Sequence, residues 1–239
     1  MKTKLKPILA LSLIGTCLAS TRSEAAVVVG TANQNAGAPD VASFTPTFVI
    51  GSTNNVLAGL TPSASAGNFD IEFSGGLPVL TDGQFGAMNN DGGPTATHPA
   101  LATFGNGGGA GSTITYSFAP TQLTGIYIYG GWNDAGRDQQ SYTVQYSING
   151  VDFLDIAVVD YNPTGTTGQS ANEISITDSS GLLAGGASIT DLRINANSTE
   201  NGYAGLAEIA AYAVPEPGVA MLGAIGALGL LRRRRALTT

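Results

Sequence analysis

The sequence predicts an all-β protein whose body is one antiparallel β-sandwich or barrel, and three observations carry that expectation. Short runs between residues 26 and 213 alternate apolar and polar side chains with period two. No helical period persists over three turns in the same stretch. An Asn149-Gly150 pair and glycine-rich connectors such as residues 105–111 separate the runs at turn positions.

Residues 26–54, rich in Asn, Ala and Thr, read as a loosely packed N-terminal strand and arm, with further strands expected at 47–50 and 70–73. In residues 113–118, Ile114, Tyr116 and Phe118 share one face and three hydroxyl residues the other. A strand is expected at 125–129. In 141–146 the inward set is Tyr142, Val144 and Tyr146, and in 189–194 it is Leu192 and Ile194, with Arg193 outward. Asn149-Gly150 lies between the strand ending near Ile148 and the apolar run 153–159, a pairing that suits a type I′ hairpin turn. Residues 172–177 and 205–213 complete the set. About eight or nine strands in a body of this length make one sandwich or barrel.

Positive charge is concentrated outside that body. Between residues 26 and 214 only Arg137 and Arg193 stand against fifteen carboxylates, a net of −13. Such a surface repels phosphate backbones, so nucleic acid is excluded as a partner.

The ends read as addresses. Lys2, Lys4 and Lys6 precede an apolar stretch at 8–19, and Ser23-Glu24-Ala25 offers small residues where signal peptidase cuts, so residues 1–25 are a secretory signal with a helical core. Cys17, the only cysteine, lies inside it, and Thr16 makes it a poor lipid-attachment site. The mature chain then has no thiol for a disulfide or a zinc–thiolate site. At the other end, Pro215-Glu216-Pro217 is followed by fourteen uncharged residues and then Arg232, Arg233, Arg234 and Arg235. The uncharged span would reach about 21 Å as a short hydrophobic helix, less than a bilayer core of about 30 Å. Read plainly it is a short tail anchor, with the arginines on the cytoplasmic side.

Pro-Glu-Pro, a short apolar span and a terminal arginine cluster together resemble the PEP-CTERM sorting signal. The resemblance implies an exosortase as processing partner and export from a Gram-negative bacterium. The protein would be anchored transiently in the inner membrane, then released to the cell surface or extracellular matrix. The chain then divides into a signal at 1–25, an arm at 26–54, a sandwich at 55–213 and a sorting segment at 214–239.

The stretch from Gly136 to Phe153, containing Tyr142-Thr-Val-Gln-Tyr-Ser147 and Asn149-Gly150, resembles the central strand-turn-strand of discoidin-type, galactose-binding-like domains. Leu80-Thr-Asp-Gly83 is similar to their early acidic-Gly loop, and Gly205-Leu-Ala-Glu-Ile209 to their closing strand. The resemblance implies a jelly-roll sandwich and, in some members, a structural calcium ion. By motif its ligands fall on the Asp82 and Glu208 side chains and the carbonyls of Val79, Gln84 and Ala207. Ala87 stands where the family often has Thr or Ser, which removes one ligand. Without calcium, Asp82 would accept N–H groups of its own turn and Glu208 would face solvent.

Three functions compete. An enzyme needs an activated nucleophile or a paired acid and base, yet His98, the only histidine, has no nucleophile motif beside it and reads as an exposed loop residue. No pair of carboxylates stands out for glycoside hydrolysis. A carbohydrate-binding module needs an aromatic platform among hydrogen-bonding groups. Trp132, Asn133, Asp134 and Arg137 supply that composition in one loop, with Tyr203 and Tyr161 in others. Alternatively Trp132 caps the core and Arg137 pairs with Asp134 or Asp138. The third reading is a structural or adhesive envelope protein without a small ligand. The expectation is a non-catalytic, exported protein binding polysaccharide or surface glycan.

Overall fold

The computed structural model describes residues 26–39, 41–72, 74–89, 98–105 and 111–215. The expected secretory signal, Glu216, Pro217, the apolar span and Arg232–Arg235, with the two helices expected there, lie outside these residues. The described residues form twelve strands: β1 Val27–Asn35, β2 Ser43–Phe44, β3 Ser63–Ala66, β4 Met88–Asn89, β5 Ala102–Gly105, β6 Thr113–Thr121, β7 Leu123–Trp132, β8 Gln140–Ser147, β9 Leu154–Tyr161, β10 Ser170–Asp178, β11 Ile189–Ala196 and β12 Tyr203–Ala213. They make two five-stranded sheets, β1-β10-β7-β12-β5 and β3-β6-β11-β8-β9, plus a β2-β4 ribbon. All ladders between named strands are antiparallel. The protein is an antiparallel β-sandwich, as its alternating runs require. No helix among the described residues is long and apolar enough to cross a membrane.

The core between the sheets follows the period-two pattern. Ile114 and Tyr116 of β6, Tyr142 and Val144 of β8, and Leu192 and Ile194 of β11 meet Ile126, Ile128, Ile174 and Ile176 from the facing sheet. Their burial drives assembly, at about 1.5–3 kcal/mol for each large apolar side chain. A second cluster covers the far face of the first sheet. There Tyr129, Ala171 and Ala207 lie under Phe85, Met88 and Leu101, with Phe44, Phe48 and Ile50 packed alongside. The arm therefore supplies a lid of aromatics: Phe48 stacks on Tyr129 at 5.8 Å and on Phe85 at 6.2 Å.

Several elements differ from the sequence expectation. Residues 47–50 alternate as a strand would, with Phe48 and Ile50 half-buried and Val49 exposed, but no ladder forms there. Of the strand expected at 70–73, Asp70 makes a single bridge to Thr103 and Glu72 breaks the run at φ +56°, and Phe73 lies outside the described residues. The β8–β9 hairpin exists, but its turn is not type I′. Gly150 is left-handed at φ +73° whereas Asn149 is not. The Asn149 Oδ1 instead accepts the N–H groups of Val151 and Asp152 at 2.9 Å each, stabilising a wider loop. Strand β1 pairs with β10 along its whole length, from Val27–Asp178 to Asn35–Ser170.

Candidate functional site

Three loops converge at one end of the sandwich: residues 133–139 between β7 and β8, 162–169 between β9 and β10, and 197–202 between β11 and β12. Trp132 ends β7 beneath them and is 0% exposed. Its indole is covered by His98 at 4.4 Å and by Tyr203 at 5.9 Å between ring centroids. The Arg137 guanidinium lies 4.8 Å over the Tyr203 ring and 5.7 Å from the Trp132 ring. Trp132 thus offers no open face for stacking a ligand, and it acts as the floor that positions Tyr203 and Arg137. Two glycines allow the close packing here, Gly205 beside the indole and Gly130 beside Gln140. A Cβ on Gly205 would fall 3.3 Å from the indole Cε3 and 2.7 Å from the Gly131 carbonyl oxygen, and one on Gly130 would fall 2.5 Å from Gln140 Oε1.

The other residues expected at this end have separate roles. Arg137 pairs with neither Asp134 nor Asp138; ring faces take its charge instead. Asp134 Oδ1 accepts the Gly136 N–H at 2.7 Å, closing the turn that carries Arg137. Asn201 Nδ2 donates to the Gly136 carbonyl at 2.6 Å and ties the first loop to the third. Asn133 is buried, while Arg137 and Tyr203 are half-exposed at the rim. Tyr161 ends β9 opposite Gln140 and packs against the main core.

His98 is not the exposed loop residue that its flanking Thr97 and Pro99 suggest. It is 1% exposed, with Nε2 3.2 Å from Glu72 Oε2 and its ring on Trp132. It supports the floor from behind.

Two acidic groups, Asp138 in the first end loop and Glu200 in the third, were invisible as a pair in the sequence. Asp138 is 0% exposed, and neither carboxylate oxygen has a hydrogen-bond partner. Burial pushes its pKa up to about 6 and the Glu200 charge adds to that, while the Ser170 and Thr166 hydroxyl dipoles work the other way. Glu200 Oε1 accepts from Asn162 Nδ2 at 3.3 Å, and its Oε2 is buried without a partner.

The loop expected to hold calcium does meet the closing strand. Residues Leu77–Thr81 form a 3-10 turn with Asp82 at its C-cap. The register of β12 on β7 shifts between Leu206 and Glu208, so Leu206 and Ile209 both reach the main core while Ala207 faces the second cluster. That bulge delivers Glu208 to the loop, where Oε2 accepts the Gly83 N–H at 3.0 Å. Glu208 is 0% exposed rather than solvent-facing, and its Oε1 has no partner. Burial raises its pKa to about 7 against the Gly83 N–H, and the Asp82 charge adds to the rise. Asp82 is exposed, and its Oδ1 accepts the Gln84 N–H at 2.9 Å. An orphaned buried carboxylate oxygen with a second carboxylate on the facing loop offers hard oxygen donors of the kind calcium takes. No group of three or more His, Cys, Asp or Glu able to hold a metal occurs among the described residues.

No protein-family model and no curated protein matches the chain. Solved structures do match. The family 32 carbohydrate-binding module from Streptococcus pneumoniae EndoD aligns over 67% of this chain and 99% of its own, at 11% identity and a TM-score of 0.42. CpGH89CBM32-5 from Clostridium perfringens, in complex with GalNAc-beta-1,3-galactose, aligns over 64% and 94% at 15% identity and a TM-score of 0.40. Chitosan-binding module 1 from the chitosanase/glucanase of Paenibacillus sp. IK-5 aligns over 66% and 98% at 16% identity and a TM-score of 0.37. At these scores the likenesses assign neither a ligand nor a residue role to this chain.

Proposed function

We propose that this chain is an exported, non-catalytic surface or matrix protein whose sandwich binds carbohydrate through the loops around Arg137 and Tyr203. The observation that carries the reading is the Arg137 guanidinium fixed 4.8 Å over the half-exposed Tyr203 ring. A guanidinium held over an aromatic ring by its charge leaves N–H groups for hydroxyl oxygens at a low cost in side-chain entropy. The ring edge and the neighbouring Asp134 and Asn201 add apolar and polar contacts suited to a sugar. The acidic body favours neutral or basic polymers over acidic ones.

Affinity electrophoresis of the purified protein against neutral, basic and acidic polysaccharides tests this. Retention by at least one polymer is expected, weakened about tenfold, or about 1.4 kcal/mol, by Arg137→Ala or Tyr203→Ala with the melting temperature kept. Retention by none would leave the structural or adhesive alternative. One observation favours that alternative: edge strand β1 carries no charge or proline and exposes Val27, Val28 and Val29.

Calcium in this reading is structural, held by Asp82, Glu208 and the carbonyls of Val79, Gln84 and Ala207. It would join the early loop to the last strand. Export by signal peptidase and exosortase predicts a processed C-terminus. The Val214 N–H donates to the Gln122 carbonyl at 3.1 Å, and a cut near Pro217 leaves that bond to the sandwich intact. Intact-mass measurement of surface-extracted protein is expected to give a chain ending near Pro217. A mature fraction retaining Arg232–Arg235 would refute the processing.

A further inference from the structure

We propose that Asp138 and Glu200 form a second divalent-cation site, suited to calcium, where the three end loops meet. Asp138 is fully buried with both oxygens unpartnered, and Glu200 Oε2 is buried and unpartnered as well. The two carboxylates act on each other electrostatically, yet neither takes part in an ion pair among the described residues. The nearest basic residue in sequence, Arg137, has its charge over the Tyr203 and Trp132 rings. A buried carboxylate with two hydroxyls beside it but no hydrogen bond in good geometry and no counter-charge is costly in a protein interior, and a bound cation resolves it.

The surrounding groups fit a hard ion. The Ser170 and Thr166 hydroxyls lie beside the Asp138 carboxyl. The Thr199 hydroxyl is buried without a partner, next to Glu200 in the chain. Asn162 already reaches Glu200 Oε1 and can turn its amide oxygen inward. Carboxylates, hydroxyls and water form an oxygen-only shell, as calcium takes, with no nitrogen or sulfur to favour zinc. None of these residues belongs to the Asp82–Glu208 pair, so the two sites load independently. The ion would clamp all three loops and set the height of Arg137 and Tyr203 at the rim. It deepens the carbohydrate reading, but binding of the ion needs no sugar.

The test uses the full chain, stripped with a chelator and titrated at pH 7.5 with terbium, then with calcium alone. Trp132 and Tyr203 are expected to sensitise terbium luminescence at this site, and calcium to quench it by displacement. The signal should persist in Glu208→Gln and fall at least tenfold in Asp138→Asn. Glu200→Gln provides the same readout if Asp138→Asn fails to fold. Isothermal titration of Glu208→Gln is expected to find one calcium per chain. No calcium uptake by Glu208→Gln overturns the proposal, as does luminescence unchanged in Asp138→Asn or Glu200→Gln. Loss of sugar retention with calcium uptake intact would count against the carbohydrate reading alone.

Discussion

Replacing Trp132 with alanine is expected to cost about 3–5 kcal/mol of stability, the range for deleting a large aromatic from a packed core. The indole is 0% exposed and braces His98, Tyr203 and Arg137 at once. Its loss opens a cavity under the end loops, and Gly205, which admits the ring, has no side chain to fill it. Urea unfolding measures the effect. A shift below about 1 kcal/mol would mean that the indole is dispensable to the core. Binding defects in this variant therefore report unfolding of the rim and not the loss of a stacking contact. Arg137→Ala and Tyr203→Ala are the informative pair for recognition.

In a chelating buffer the protein is expected to lose stability as pH rises from about 4.5 towards 7. Glu208 titrates near 4.5 in an unfolded chain and near 7 in the fold, because burial penalises its charge beside Asp82. Between those values the folded state holds a proton that the unfolded state has released. Unfolding free energy then falls with rising pH, and the curve flattens above about 7. With about 1.4 kcal/mol per pKa unit, the full drop is about 3 kcal/mol. Asp138, raised from 3.8 to about 6, adds a loss of the same sign over a lower window. Glu208→Gln is expected to remove the upper part of the slope and to melt higher than wild type at pH 8. Saturating calcium should do the opposite of the chelator, stabilising the wild type at pH 8 by about 2.7 kcal/mol at one hundred times its dissociation constant. Thermal melts that rise between pH 5 and 7 in EDTA would contradict the Glu208 assignment. Melts at pH 8 unmoved by calcium would end the calcium assignment for Asp82 and Glu208.

How much the sequence disclosed depended on whether a signal was local. Tyr116, Tyr142, Val144, Leu192 and Ile194 alternate with polar neighbours, and all of them line the core. Strand β5 carried no such sign, because Ala102, Thr103 and Phe104 are all buried. Strand β3 is Ser-Ala-Ser-Ala, too weakly apolar to stand out. The burial of Trp132 depends on His98 and Tyr203, which arrive from distant parts of the chain through sheet pairing. For the same reason His98 looked like a loop residue. The Glu208 junction was readable only because a motif resemblance tied two remote segments together. Asp138 and Glu200 carried no motif, and only the meeting of three loops brings them together.

The last strand also determines how the molecule bears load. Along β12, Leu206 to Ala213 pair with β7 on one side. On the other side β5 covers its first half, and residues 54–56 its second, through Val56 N–H to Ala211 carbonyl and Ala213 N–H to Asn54 carbonyl bonds at 2.9 Å each. Tension entering through Val214 runs parallel to this strand and across its hydrogen bonds, so the ladders on both flanks are sheared together and not unzipped one rung at a time. A pull on the opposite end meets β1, an edge strand with a ladder on β10 alone. The protein is thus mechanically polar: a load entering at Val214 meets hydrogen-bonded neighbours on both flanks of β12, and one entering at Val27 meets a ladder on one flank of β1.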